Sequence, residues 1–139
     1  MLGPGLGFVD VFTPDGTLVQ RFAGFGLLDA PWGIAMAPAT GFGQFSGDLL
    51  VGNFGDGHIT AFRMSSHLPF AVPAGQLRAP DGRRVSIDGL WALQFGNGAS
   101  AGPTTSLFFT AGPDNQANGL FGTLTPATAT PGGGDQDNQ

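Results

Sequence analysis

The chain has 139 residues, enough for one domain, and a formal charge of −5 carried by ten acidic and five basic side chains. All anions are Asp and all cations Arg, and Cys is absent; this excludes disulfides and thiolate metal sites and leaves no basic patch for phosphate. The 25 Gly and 11 Pro interrupt helices, while 13 Phe and two Trp are too many for a disordered linker, so the composition predicts an all-β fold.

In chain order, Met1–Gly7 has neither a basic n-region nor a sustained apolar run, and reads as neither a signal peptide nor a membrane span. Phe8–Phe12 alternates apolar and polar residues. Pro14-Asp15-Gly16 then predicts a tight turn, with Thr17–Phe22 as the returning strand. Further short strands are expected at Trp32–Ala37, Asp48–Gly52, His58–Phe62, Leu90–Phe95, Ser106–Thr110 and Gly119–Leu124. Residues 127–139 contain no large apolar anchor and read as a disordered tail.

An internal repeat organises these strands. Pro31-Trp32-Gly33-Ile34-Ala35-Met36 aligns with Gly89-Leu90-Trp91-Ala92-Leu93-Gln94, and Trp32 and Trp91 stand 59 residues apart. Each unit continues through a glycine loop, a second strand, a polar turn and a third strand. The pattern predicts a partial β-propeller over residues 1–126, with about nine strands in two to two and a half four-stranded antiparallel blades. The stretch from Phe62 to Trp91 is longer than that from Phe12 to Trp32. It has room for a fourth strand near Ala74–Arg78 and an additional hairpin about Pro80–Gly82, preceding Arg84–Ile87. So few blades cannot close a ring, and unpaired edges invite the remaining blades of a longer propeller or other copies of the chain.

Gly5–Phe12, Ala30–Pro38, Leu50–Gly57, Ile87–Gly98, Phe109–Pro113 and Asn118–Gly122 carry a family resemblance. Together they resemble the C-terminal part of an uncharacterised bacterial β-propeller family, similar to NHL-repeat proteins, in organisms with PEP-CTERM sorting. The resemblance implies a larger, exported, extracellular propeller with no established activity.

Candidate chemistry is sparse. Gly98-Ala-Ser-Ala-Gly102 has the form of a nucleophile elbow, but a strand follows it and both histidines lie upstream, so a plain strand connection is expected. Two His without Cys argue against structural zinc. Asn53, Asp56, Asp114 and Asn115 supply oxygen ligands suited to Ca²⁺, yet no loop has alternating acids closed by Glu, and these are also turn residues. The glycine clusters lack the nucleotide-binding spacing. Trp32 and Trp91 are expected in the core between blades.

In a four-stranded meander, turns after the second strand and connections after the fourth share one end. That places Asp29, Asn53, Asp56, His58, Asp88, Asp114, Asn115 and Asn118 together as a candidate binding face, with solvated turns as the alternative. The expected function is a non-enzymatic binding or scaffold module for a protein or polysaccharide. The alternatives are a Ca²⁺-dependent hydrolase or lactonase on the same fold, or a fragment with no function alone.

Overall fold

The computed structural model describes residues 2–22, 26–67 and 71–127. Among these residues, nine strands form three antiparallel sheets, each in chain order. The first sheet holds β1 (Val9–Phe12) and β2 (Leu18–Phe22). The second holds β3 (Pro31–Met36), β4 (Leu49–Asn53), β5 (Ile59–Met64) and β6 (Ala71–Gln76). The third holds β7 (Leu90–Phe95), β8 (Leu107–Ala111) and β9 (Leu120–Leu124). Helical structure is limited to a 3₁₀ turn at Gly43–Phe45 and one irregular turn at Pro113–Gln116. No helix among the described residues is long and apolar enough to cross a membrane.

Local chemistry fixes the first hairpin. The Gly16 N–H donates to the Thr13 carbonyl at 2.9 Å, and the Asp15 carboxylate accepts from the Thr17 N–H and hydroxyl and from the Thr13 hydroxyl. Those hydroxyls, Thr13 first and then Thr17, hold the Asp15 carboxyl below its ordinary range. Across the ladder, Arg21 forks onto its cross-strand partner Asp10 at 2.7 and 2.8 Å and lies over the Phe8 ring. The second Pro-Asp-Gly also turns the chain, with the Ala79 N–H donating to Arg83 and the Gly82 N–H to Ala79. The segment after it forms an isolated Arg78–Arg84 bridge rather than a strand, with the Val85 N–H donating to the Leu77 carbonyl and Val85 and Ile87 packed against the core, and the fourth strand of the second sheet is Ala71–Gln76.

Two apolar layers hold the sheets together. Between the second and third sheets, Ala35, Leu50, Ile59 and Ala61 meet Leu90, Leu93, Leu107 and Phe109. Phe42 and Phe45, beside the 3₁₀ turn, belong to the same cluster, and each large side chain buried there contributes about 1.5–3 kcal/mol. Gly33 permits this approach, because a Cβ there would lie 2.3 Å from the Trp91 carbonyl oxygen. Between the first and second sheets, Val9, Phe22 and Leu28 meet Val51, Phe62 and Ala71, with the Phe22 and Phe62 rings 4.7 Å apart. At one end of the second sheet the fully buried Asp48 carboxylate is held by Arg63 at 2.6 and 3.2 Å. This hydrogen bond raises the Arg63 guanidinium above its ordinary range.

The expected all-β class is present as three separate antiparallel sheets that close no ring. Trp32 is not a core residue: it is 67 % exposed, and Trp91 is half-buried. Both tryptophans fall where the register slips, between Pro31 and Gly33 and between Leu90 and Leu93. Such bulges re-aim the side chain they carry, so the repeat marks a backbone irregularity rather than a packing position. The indole of Trp91 lies over Gly112, where a Cβ would come within 2.9 Å of the ring. In the second sheet the equivalent position is Phe54, and no bare backbone is available to Trp32. The expected disordered tail lies almost wholly outside the described residues.

Candidate functional site

The acidic and amide residues singled out in the sequence lie at one end of the stack, Asn53 as the last residue of β4 and the others on loops tied together by hydrogen bonds. In the first step, the Gly3 N–H donates to Asp29 Oδ1 at 2.8 Å. The Asp29 and Ala30 carbonyls accept from the N–H groups of Gly55 and Phe54, tying the entry to β3 to the β4–β5 turn. That turn is tied onward, because the Ser86 hydroxyl donates to the Asp56 carbonyl and the Ile87 N–H to the Gly57 carbonyl. In the third sheet the Gly112 N–H donates to the Gly89 carbonyl, and the Asp114 N–H to Asp88 Oδ2 at 2.9 Å.

The second and third sheets repeat this arrangement. The Ala30–Phe54 bond matches Gly89–Gly112, and the residue after each acid has positive φ, +51° at Ala30 and +67° at Gly89. An αL residue turns the chain sharply into the bulged first strand, and the preceding Asp carboxylate accepts a backbone N–H, from Gly3 at Asp29 and from Asp114 at Asp88. The repeated acid is thus explained by loop geometry. Asp29 is buried, and its carboxylate occupies the space beside Gly55.

Asn53 is also buried, so it takes no part in a solvent-facing site. Its Nδ2 donates to the Leu27 carbonyl at 2.9 Å, and that carbonyl also accepts from the Thr60 hydroxyl. Gln76 completes the network by donating to Thr60, while Asn53 Oδ1 has no partner among the described residues. Nothing in the sequence pattern marked Thr60 or Gln76, because an amide and a hydroxyl in a strand read as solvent-facing positions. The Asp48–Arg63 pair went unmarked for the same reason.

What remains exposed or half-exposed is Asp56, His58, Asp88, Asp114, Asn115 and Asn118. Asp56 Oδ1 accepts the His58 N–H, and Asp56 Oδ2 lies 3.2 Å from His58 Nδ1. Asn118 Nδ2 donates to Asp114 Oδ2 at 2.7 Å. Asp114, Asn115 and Gln116 follow one another at φ of +57°, +54° and +67°. Three successive non-glycine residues in the left-handed region are costly, at about 1–2 kcal/mol each for an ordinary side chain. No cluster of three or more His, Asp, Glu or Cys suited to a metal ion occurs among the described residues.

The chain is similar to three proteins of Acanthamoeba polyphaga mimivirus. Uncharacterized protein R648 is 37 % identical over 122 residues, covering 88 % of this chain and 28 % of that protein. Uncharacterized protein L690 is 36 % identical over 121 residues, covering 87 % and 30 %. Uncharacterized protein R640 is 32 % identical over 126 residues, covering 91 % and 22 %. This chain thus spans less than a third of each relative. No family model matches, and no solved structure matches.

These viral relatives overturn the resemblance to a bacterial PEP-CTERM-associated family. The glycine loops and Trp-bearing strands that carried it follow from a bulged antiparallel meander, and such backbone requirements do not identify a lineage. The exported location implied above rested on that resemblance alone.

Proposed function

We propose that the chain is a non-enzymatic binding module whose sheets form part of a β-propeller and whose Asp- and Asn-bearing loops hold a protein or polysaccharide partner. The propeller reading is supported by consecutive antiparallel meanders, a repeated bulge and the side-by-side packing of β3 and β7, the first strands of their repeats. Relatives of which the match covers less than a third leave room for further repeats.

The observation that carries the binding role is the left-handed run at Asp114–Gln116. Asp and Asn tolerate this conformation, whereas Gln116 does not share that tolerance. The loop is held by its bonds to Asp88 and Asn118, and strain of this kind concentrates where a loop must display particular groups. Calorimetric titration with a panel of oligosaccharides, each with and without Ca²⁺, tests the reading. Saturable heat from one glycan class is expected, weakened at least tenfold in Asp88→Ala and Asn115→Ala. Gln116→Gly should stabilise the fold by about 1 kcal/mol while weakening binding, since it relaxes the displayed loop. A flat response across the panel, indifferent to these substitutions, contradicts the polysaccharide arm.

A further inference from the structure

The chain contains two Asn-Gly pairs, Asn97-Gly98 and Asn118-Gly119, and both asparagines are exposed. Such a pair reacts on itself when the glycine amide nitrogen reaches the asparagine side-chain carbonyl, closing a succinimide ring. Glycine favours this step because, without a Cβ, it lets the nitrogen swing onto the carbonyl. In sequence the two pairs are equivalent, but their surroundings are not. At Asn97 the reacting groups are already engaged. The Gly98 N–H donates to the Gly102 carbonyl at 2.8 Å, and Asn97 Oδ1 accepts from the Ala99 and Ala101 N–H groups at 2.9 and 3.0 Å. Ring closure there has to break these bonds. At the second pair, the Gly119 N–H has no hydrogen-bond partner among the described residues, and a Cβ built on Gly119 would meet nothing within 4 Å. The Asn118 side chain is tied through Nδ2, to Asp114 Oδ2 at 2.7 Å, which leaves its carbonyl carbon open to attack.

We propose that Asn118-Gly119 is a site of spontaneous deamidation, and that its conversion releases the strained loop beside it. The bond from the Gly119 nitrogen to Asn118 Cγ forms and the Cγ–Nδ2 bond breaks, and ammonia leaves with the proton lost from Gly119. One water then opens the succinimide, giving its hydroxide to a ring carbonyl and its proton to the ring nitrogen. Opening at Cγ gives aspartate; opening at the main-chain carbonyl gives isoaspartate, with an extra methylene in the backbone. Either product adds one negative charge to a chain already at −5. Either also exchanges the amide donor for a carboxylate beside Asp114, replacing a 2.7 Å hydrogen bond by like-charge repulsion. Asp114–Gln116 passes through three left-handed residues and is held by Asp88 and Asn118, so losing the second hold lets the loop relax. The reaction needs only a free N–H and an open backbone, and it proceeds whether or not the loop binds a partner. Failure of the binding role therefore leaves this inference standing, and the reverse holds too.

Incubation of the folded chain at mildly alkaline pH, followed by peptide mapping with fragmentation that separates the two sites, measures both rates. Conversion at Asn118 should outpace that at Asn97 by about tenfold or more. In urea sufficient to unfold the chain the two rates should agree within about threefold, since the fold is what separates them. Gly119→Val should slow conversion at Asn118 by about tenfold or more and keep the melting temperature, because the added side chain enters open space. Asn118→Asp reproduces one product directly. It should quicken amide exchange at Asp114, Gln116 and Ala117, whose N–H groups are hydrogen-bonded, by about threefold or more, with β7 and β8 unchanged. Added salt should shrink that change by screening the two carboxylates. Equal rates at the two pairs in the folded chain overturn the site, as does a tenfold difference that persists in urea. Loop exchange unaltered by Asn118→Asp overturns the release.

Discussion

The second and third sheets begin with the same bulged strand, yet one buries it and the other does not. In β7, Leu93 is 6 % exposed within the layer shared with Ala35, Leu50 and Ile59. In β3, the matching Ile34 is 51 % exposed, since among the described residues the first sheet packs on β4, β5 and β6 and no β3 residue joins that cluster. The side chains are of the same kind and the strands share a bulge, so the difference comes from the neighbour. A repeat position acquires its energetic meaning from what is stacked on it, and the residue itself does not carry that meaning.

Truncation at the matched pair gives the largest expected effect. Leu93→Ala removes buried methyl groups from a packed layer and should cost about 2–5 kcal/mol, whereas Ile34→Ala should change stability by no more than about 0.5 kcal/mol. Urea denaturation of both variants measures the contrast, and equal losses would break it. The loop entries give a second matched pair. Gly89→Ala should cost more than about 2 kcal/mol, since φ is +67° and the new Cβ would lie 2.1 Å from the Gly112 carbonyl oxygen. Ala30→Gly should stabilise by about 0.5 kcal/mol, because relief of the left-handed strain slightly exceeds the added unfolded-state entropy. Thermal melts of the two variants should therefore move in opposite directions.

The smallest effect is a pH dependence confined to the first sheet. The hydrogen bond from Arg21 holds the Asp10 carboxyl below its ordinary range, so its stabilisation is present above that range and lost as pH falls through the lowered value. Amide exchange in β1 and β2 should quicken on acidification. Arg21→Gln should remove the part of that acid sensitivity due to Asp10, leaving the part due to Asp15. Exchange in β7 and β8 gives the reference.

Much of the fold was legible in the residues. Alternation at Phe8–Phe12, the first Pro-Asp-Gly turn and the paired Trp-bearing segments located strands because strand period and turn chemistry are local properties, whereas the second Pro-Asp-Gly turns the chain without a returning strand at Arg84–Ile87. The end of the stack at which the Asp- and Asn-bearing loops gather was legible too, since antiparallel alternation fixes it. Burial was not legible there. Asp29 and Asn53 look like their exposed neighbours in sequence, yet both are turned inward, Asp29 to brace the Gly3 N–H and Asn53 to reach the Leu27 carbonyl. The ion pair of Asp48 with Arg63 joins two strands and leaves no trace in either one.

The sequence by itself determined an all-β chain of short strands: without Lys or Glu, and with Gly and Pro at short intervals, no helix of useful length can form, while Phe, Leu and Val in alternation must bury one face. Tertiary structure alone decided which faces are buried. Trp32 and Trp91 repeat in sequence, but exposure depends on whether another sheet lies opposite, and that is a property of stacking between distant segments.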